Sequence, residues 1–69
     1  MYWYRAWYGS WNDTDGVRRI DGTYNRKKIF DDAQRVANKT GKVVTIEKEI
    51  PTLRGLESEY YKVKPQLEV

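Results

Sequence analysis

One segment near the middle of the chain limits the folds available to it, because residues 25–41 carry the full pattern of a single capped, amphipathic helix. Asn25 is a residue type that caps helix N-termini, and Gly41 stands where a left-handed C-terminal cap belongs. Between these two residues the apolar side chains recur at helical spacing, at Ile29, Phe30, Ala33, Val36 and Ala37. We therefore predict a helix over about residues 26–40.

Two strands are predicted before this helix. Residues 2–8 are rich in Tyr and Trp, which favour strands, and residues 17–24 form a second strand after the turn-forming segment SWNDTDG. The pair Asp21-Gly22 within the second strand predicts a bulge or a bend there. The front of the chain is therefore expected to be a β-hairpin.

Two more strands are predicted after the helix. Residues 43–50 alternate between apolar and polar side chains, and Pro51 is expected to end that strand because proline cannot donate a hydrogen bond to a ladder. We predict a loop over residues 51–59, with room for one helical turn, and a last short strand over residues 60–64.

The element order β-β-α-β-β predicts an α+β fold, with one antiparallel sheet and the helix packed on one of its faces. A chain of 69 residues is expected to form one domain, here over residues 1–64, with a frayed tail at residues 65–69. A single short helix covers only one face of such a sheet. The other face is therefore available to a loop or to a partner.

The first strand presents aromatic rings on both of its sides. Because Arg5 is costly to bury without a partner, we predict that its side of the strand is the open one. The helix side is then Tyr4, Ala6 and Tyr8, and the open side is Trp3, Arg5 and Trp7, with Arg5 stacked between the two indoles. The alternative is a second, partial core in which the C-terminal loop covers the open side with Leu53 and Leu56.

The residue types that most enzymes rely on are missing. The chain contains neither His nor Cys, so the commonest general base, the strongest nucleophile and the usual zinc ligands are absent. The segment DTDG lacks the spacing of a calcium loop, and Trp11 stands where the first carboxylate would be. We therefore expect a protein that is not an enzyme and that holds no metal and no cofactor.

The aromatic residues favour a binding role. Three Trp, six Tyr and one Phe occur in the chain, and Trp, Tyr and Arg are the types enriched at the energetic centres of protein interfaces. The candidate partner-binding residues are Trp3, Arg5, Trp7, Trp11, Tyr60 and Lys62. The favoured hypothesis is stoichiometric binding to another protein, in the manner of phage or mobile-element accessory proteins that inhibit a host enzyme of defence or nucleic-acid processing.

A second group of residues suggests an anion or nucleic acid as the ligand. Cations in the first turn of a helix oppose its dipole, and together with the free N–H groups there they would suit a phosphate or carboxylate. The candidate anion-binding residues are Arg26, Lys27, Lys28, Arg18 and Arg19. The alternative at this helix is a later start, with Asp31 and Asp32 in the first turn.

The alternative function follows from both groups and from a net charge of +3. It is direct binding of single-stranded nucleic acid or nucleotides, in which the aromatic rings stack on bases and the cations contact phosphates.

The sequence also bears on location and assembly. No apolar run approaches the ~20 residues that span a bilayer, and the N-terminus lacks the order of a signal peptide. We expect a soluble, cytoplasmic protein without a membrane partner. A homodimer is a further hypothesis, because it would hide the exposed rings and an unpaired strand edge.

Overall fold

The computed structural model describes residues 1–66 and confirms the predicted α+β fold in the order β-β-α-β-β. The elements are β1 at Trp3–Tyr8, β2 at Arg18–Thr23, α1 at Arg26–Thr40, β3 at Val44–Thr52 and β4 at Gly55–Val63. The strands form one sheet in the order β2-β1-β3-β4, and each neighbouring pair is antiparallel. The helix α1 therefore connects β2 to β3, two strands that lie on either side of β1.

The helix has the predicted bounds because both of its caps form. The side chain of Asn25 accepts a hydrogen bond from the Lys28 N–H at 3.0 Å. Gly41 has a φ of 71°, in the left-handed region, and its N–H donates to the Ala37 carbonyl at 2.8 Å. Since the helix begins at Arg26, the alternative of a later start is wrong.

The core lies between α1 and the two central strands. Its buried side chains are Tyr4, Ala6, Ile29, Ala33, Ala37, Val44 and Ile46. The predicted orientation of the first strand is therefore confirmed, since Tyr4 is only 3% exposed and Ala6 lies beside it in this cluster. Small side chains at Ala6, Ala33 and Ala37 are the ones that let the helix approach the sheet closely.

The connection between β1 and β2 is a loop rather than a tight hairpin turn. Two successive turns shape it: the Asp13 N–H donates to the Ser10 carbonyl, and the Gly16 N–H donates to the Asp13 carbonyl, each at 3.0 Å. Gly16 has a φ of 67°, which a glycine adopts without strain. Trp11 therefore lies in a loop between β1 and β2 rather than on a strand.

The predicted bulge in β2 is confirmed. The pairing of β1 with β2 shifts register between Tyr4 and Ala6. At that point Asp21 and Gly22 lie opposite the single residue Arg5. The bulge leaves Gly22 on the face that points away from α1.

The prediction of a loop at residues 51–59 is wrong. Pro51 pairs with Leu56 within a long hairpin whose turn lies at Leu53 and Arg54. Proline is tolerated at this position because the pairing of β3 with β1 ends at Glu49, so that the strand has a neighbour on one side only. Beyond that residue β3 and β4 project as a two-stranded arm.

The last described residues are held against the helix. The side-chain amide of Gln34 donates to the Lys64 carbonyl at 2.9 Å, and the Gln66 N–H donates to Asn38 Oδ1 at 2.8 Å. Most of the tail predicted at residues 65–69 lies outside the described residues, which end at Gln66. In the described part of the chain, α1 is too short and too polar to cross a membrane.

Candidate functional site: the open face of the sheet

The face of the sheet that points away from α1 is called the open face here. Directly paired residues of neighbouring strands share a face, so the ladder registers define its members. They are Arg19 from β2, Trp3, Arg5 and Trp7 from β1, Thr45, Glu47 and Glu49 from β3, and Ser58, Tyr60 and Lys62 from β4. The register therefore brings together five of the six predicted partner-binding residues on one surface.

No helix or strand within residues 1–66 packs against this face. The one helix lies on the opposite side of the sheet, where the core is. Leu53 is fully exposed and Leu56 is 68% exposed, so neither leucine covers the rings of β1. The alternative of a second core under a C-terminal loop is therefore wrong, because the predicted loop is instead the projecting arm.

Arg5 stands at the centre of a polar network on this face. Its Nε lies 3.2 Å from Glu47 Oε1, and its guanidinium also pairs with the carboxylate of Glu49. Glu47 Oε2 accepts two further hydrogen bonds, from Ser58 Oγ at 3.0 Å and from the Tyr60 hydroxyl at 3.2 Å. These five residues, the Arg5 network, combine one guanidinium with two carboxylates, and their contacts hold the side chains in place.

The predicted stacking of Arg5 between two indoles is wrong. The residues directly opposite Arg5 and Trp3 on β3 are Glu47 and Glu49, and both carboxylates reach the guanidinium. A bidentate or charge-assisted pair is a stronger contact for arginine than an exposed ring. The charge of Arg5 is therefore directed along the sheet rather than towards the neighbouring indoles.

Aromatic rings flank the Arg5 network on two sides. Trp7 and Tyr60 meet edge to face with centroids 6.3 Å apart. Trp3 meets Tyr24 in the same way at 4.8 Å, and its indole lies directly over Gly22. The two tryptophans are half-buried by these contacts, while Tyr60 remains 58% exposed. The rings are therefore fixed in place, yet each still presents apolar surface.

Trp11 extends this aromatic surface from the β1–β2 loop. It is 88% exposed and lines a cleft of about 320 Å³ beside the sheet. Trp7, Val17 and Arg19 contribute other walls of the cleft. The cleft offers a partner two indoles, two guanidiniums and the carboxylate of Glu47.

One row of the open face is basic and aromatic. Arg19, Trp7, Thr45 and Lys62 stand side by side across the four strands. Lys62 Nζ donates to Thr45 Oγ1 at 2.7 Å, and Arg19 forms no ion pair with any of residues 1–66. This row could contact an anionic group placed over Trp7.

Two of the predicted anion-binding cations, Lys27 and Lys28, already form ion pairs with carboxylates of the same helix. Lys27 donates to Asp31 at 2.7 Å and Lys28 donates to Asp32 at 2.9 Å, while Arg35 also pairs with Asp32. The hydrogen bond from Lys28 lowers the pKa of the Asp32 carboxyl, and Arg35 adds to the effect. The hydrogen bond to Asp31 raises the pKa of Lys27. Carboxylates one turn away therefore explain why Lys27 and Lys28 are tolerated in the first turn.

Two further predicted cations, Arg26 and Arg18, lie apart from the open face. Arg26 is 4.7 Å from the Phe30 ring centroid and donates to the Tyr4 hydroxyl at 3.5 Å, on the helix side of the sheet. Hydrogen bonds to Tyr4 and Tyr61 raise the pKa of Arg26. Arg18 pairs with Tyr8, so it also faces the helix side. The structure therefore separates the predicted anion-binding residues, and only Arg19 joins the open face.

No role was predicted from the sequence for the open-face carboxylates of Glu47 and Glu49. Glu47 and Glu49 alternate with Val44 and Ile46 along β3, so their direction could be predicted from the pattern. Their contact with Arg5 could not, because it depends on the pairing of β1 with β3 across more than forty residues. Within residues 1–66 no group of three or more His, Cys, Asp or Glu side chains is placed to hold a metal ion.

Comparisons with protein-family models, with curated proteins and with solved structures found no match.

Proposed function

We propose that the protein is a non-enzymatic binding protein whose open face docks onto another protein. One observation carries this proposal: fixed aromatic rings surround the Arg5 network on a sheet face that no helix or strand of residues 1–66 covers. Exposed patches that combine rings with internally paired charges are typical of interaction sites.

The carboxylates at the centre of the face favour a protein over a nucleic acid. Glu47 and Glu49 are only 16% and 23% exposed, and both are held on the open face by Arg5. A phosphate backbone laid across the rings would pass over these two carboxylates and would be repelled by them. A protein surface of mixed charge would instead match both the carboxylates and the cations.

The rings are expected to supply most of the binding free energy. Trp7 and Tyr60 support each other edge to face, so their orientation is set before a partner arrives. Rigid aromatic side chains lose little conformational entropy on binding. Trp11 and the cleft beside it would take one protruding side chain of the partner.

The mode of action that we propose is stoichiometric. A small chain that performs no chemistry changes another protein's activity by occupying its surface. Inhibition of a host enzyme by a phage or mobile-element accessory protein is the setting we favour. The proposal rests on the open face and on the sequence composition together.

A second candidate function is supported by the row of Arg19, Trp7 and Lys62. Two cations on either side of an indole would suit a single-stranded nucleic acid, with a base on Trp7 and phosphates on the cations. This row is one end of the open face and avoids the carboxylates of the Arg5 network.

The experiment compares three immobilised chains: the natural one, Trp7→Ala, and Lys39→Ala as a matched change on the exposed side of α1. Nuclease-treated lysate is passed over each at moderate salt. We expect a protein from the lysate to be retained by the natural chain and by Lys39→Ala, but not by Trp7→Ala. Equal retention by all three chains would contradict it.

A fluorescence titration separates the two candidate functions. Oligonucleotides added to the natural chain are expected to leave the tryptophan emission unchanged. Quenching at micromolar concentrations that weakens steeply with salt would instead establish the nucleic-acid alternative.

A further inference from the structure

The cleft beside Trp7 is lined by charged side chains as well as by rings. Its walls come from β1, from β2, from the loop that joins these strands and from one residue of β3. The apolar lining is Ala6, Trp7, Trp11, Val17 and Ile20, and the charged lining is Arg5, Arg19 and Glu47. What a partner can place in the cleft therefore depends on which of the three charged groups is still available to it.

Two of the three charged groups already have partners within the sheet. Glu47 Oε1 lies 3.2 Å from Arg5 Nε, and Glu47 Oε2 accepts hydrogen bonds from Ser58 and Tyr60. The guanidinium of Arg5 pairs with Glu49 as well as with Glu47. A cation of the partner would compete with Arg5 for Glu47, and an anion would compete with two carboxylates for Arg5.

Arg19 is the third charged group, and it forms no ion pair with any of residues 1–66. It lies directly opposite Trp7 in the ladder, so its side chain is on the open face, where it lines the cleft. A guanidinium presents its donors in a planar fork that matches the two oxygens of a carboxylate. The charged group that the cleft offers to a partner is therefore a cation suited to a carboxylate.

The position of Glu47 limits how much negative charge the cleft accepts. β1 lies between Arg19 on β2 and Glu47 on β3, so the backbones of these two residues are ~10 Å apart. One carboxylate beside Arg19 keeps this separation from Glu47, whereas a run of phosphates across the cleft would approach it and be repelled. The charges therefore favour a single acidic side chain over a nucleic-acid backbone.

The two indoles of the cleft distinguish Arg19 from an ordinary surface cation. An exposed ion pair contributes little to binding, because water screens the two charges. Trp7 and Trp11 line the same cleft, and the methylene groups of an acidic side chain would pack against their rings. Such packing removes water from the neighbourhood of the carboxylate and strengthens its attraction to the guanidinium.

We propose that this cleft binds an aspartate or glutamate side chain of the partner protein, with the carboxylate on Arg19 and the methylene groups against Trp7 and Trp11. The inference rests on the proposed function, because it names the group that the open face recognises in that partner. The bound segment of the partner then carries one acidic residue among apolar residues, which contact the other rings of the open face.

The test selects ligands from a displayed library of random linear peptides. The immobilised proteins are the natural chain, Arg19→Gln, Arg18→Gln and Trp7→Ala. Arg18→Gln is the matched control, because it removes the same charge from the neighbouring residue, which pairs with Tyr8 and faces the helix side. Both arginines are exposed, so their variants are expected to fold, and circular dichroism checks the folding of all four proteins.

The selected peptides are expected to differ in one feature. Those that bind the natural chain and Arg18→Gln should share an aspartate or glutamate next to apolar residues. Those that bind Arg19→Gln should show no preference for an acidic residue. Trp7→Ala should retain none of the peptides that the natural chain selects.

A double-mutant cycle then tests the contact itself. One selected peptide is synthesised with its acidic residue and with the corresponding amide, and calorimetry measures its binding to the natural chain and to Arg19→Gln. Loss of either charge is expected to weaken binding ~10-fold. Loss of both is expected to weaken it no further, because the two groups contact each other.

Two results would overturn the inference while the proposed function stands. The peptides could depend on Trp7 without sharing an acidic residue, or Arg19→Gln could leave the effect of that residue unchanged. Failure to select any peptide that depends on Trp7 would contradict the proposed function as well. Polythymidine that binds in place of acidic peptides, and that is lost with Arg19→Gln, would assign Arg19 to phosphates instead.

Discussion

Asn25 and Gly41 cap the two ends of the helix. Three positive charges directly after Asn25 disfavour the start of a helix at this position. Arg26, Lys27 and Lys28 lie in the first turn, and each cation there opposes the helix dipole by about 0.3–1 kcal/mol. The hydrogen bond from the Lys28 N–H to Asn25 satisfies one of the free donors at this end. The cap is therefore the main local interaction that favours this start of the helix.

Replacing Asn25 by Ala is expected to lower the free energy of unfolding by about 1 kcal/mol, because the Lys28 N–H loses its acceptor. Replacing it by Asp keeps the acceptor and places a negative charge beside three cations, so that variant should be at least as stable as the natural chain. Urea denaturation of the three proteins measures the difference. Equal midpoints for the natural chain and the Ala variant would contradict the importance of this cap.

The β2 bulge places Gly22 directly against the Trp3 indole on the open face. Two residues of β2 lie opposite Arg5 at the bulge, and one of them is Gly22. A Cβ built on Gly22 would lie 2.2 Å from the Trp3 ring, far inside van der Waals contact. Glycine at this position therefore leaves the space in which the Trp3 indole lies and meets Tyr24.

Replacing Gly22 by Ala is expected to push the Trp3 indole away from Tyr24, with loss of the corresponding near-ultraviolet dichroism and a lower free energy of unfolding. In a Trp3→Leu background the same change should cost less, because the smaller side chain leaves room for the new methyl group. A double-mutant cycle measures this coupling. If the cost of Gly22→Ala is the same in both backgrounds, the close approach is not what requires glycine.

The elements differ in how far the sequence alone predicts them. The helix and the bulge were predictable because their signals are local: Asn25 and Gly41 cap the helix, and the Asp21-Gly22 pair marks the bulge. The β3–β4 hairpin was not, because Pro51 is a local signal against a strand. Whether the strand continues through Pro51 depends on where β1 stops pairing with β3, and no local sequence pattern predicts that position.

At the scale of the whole molecule, the helix and the sheet of residues 1–66 give the protein one side that is packed into a core and one side that is open. The core is small and consists mainly of short side chains around Ile29, Val44 and Ile46. The direction of the open side was predictable, because Arg5 is too costly to bury between tryptophans. The Arg5 network was not, because it joins residues from three strands that only the fold brings together.

The central claim is that Tyr4 points into the core while Trp7 points towards a partner, and thermal melts of Tyr4→Ala and Trp7→Ala test it most directly. Tyr4 is 3% exposed, so truncating it should cost roughly 3–5 kcal/mol of stability, a large share of what a small domain has. Trp7 is half-buried on the open face, so its truncation should cost clearly less. We expect Trp7→Ala to melt well above Tyr4→Ala. A Trp7→Ala protein that melts below Tyr4→Ala would mean that the open face is a core, and the proposed interface would lose its main residues.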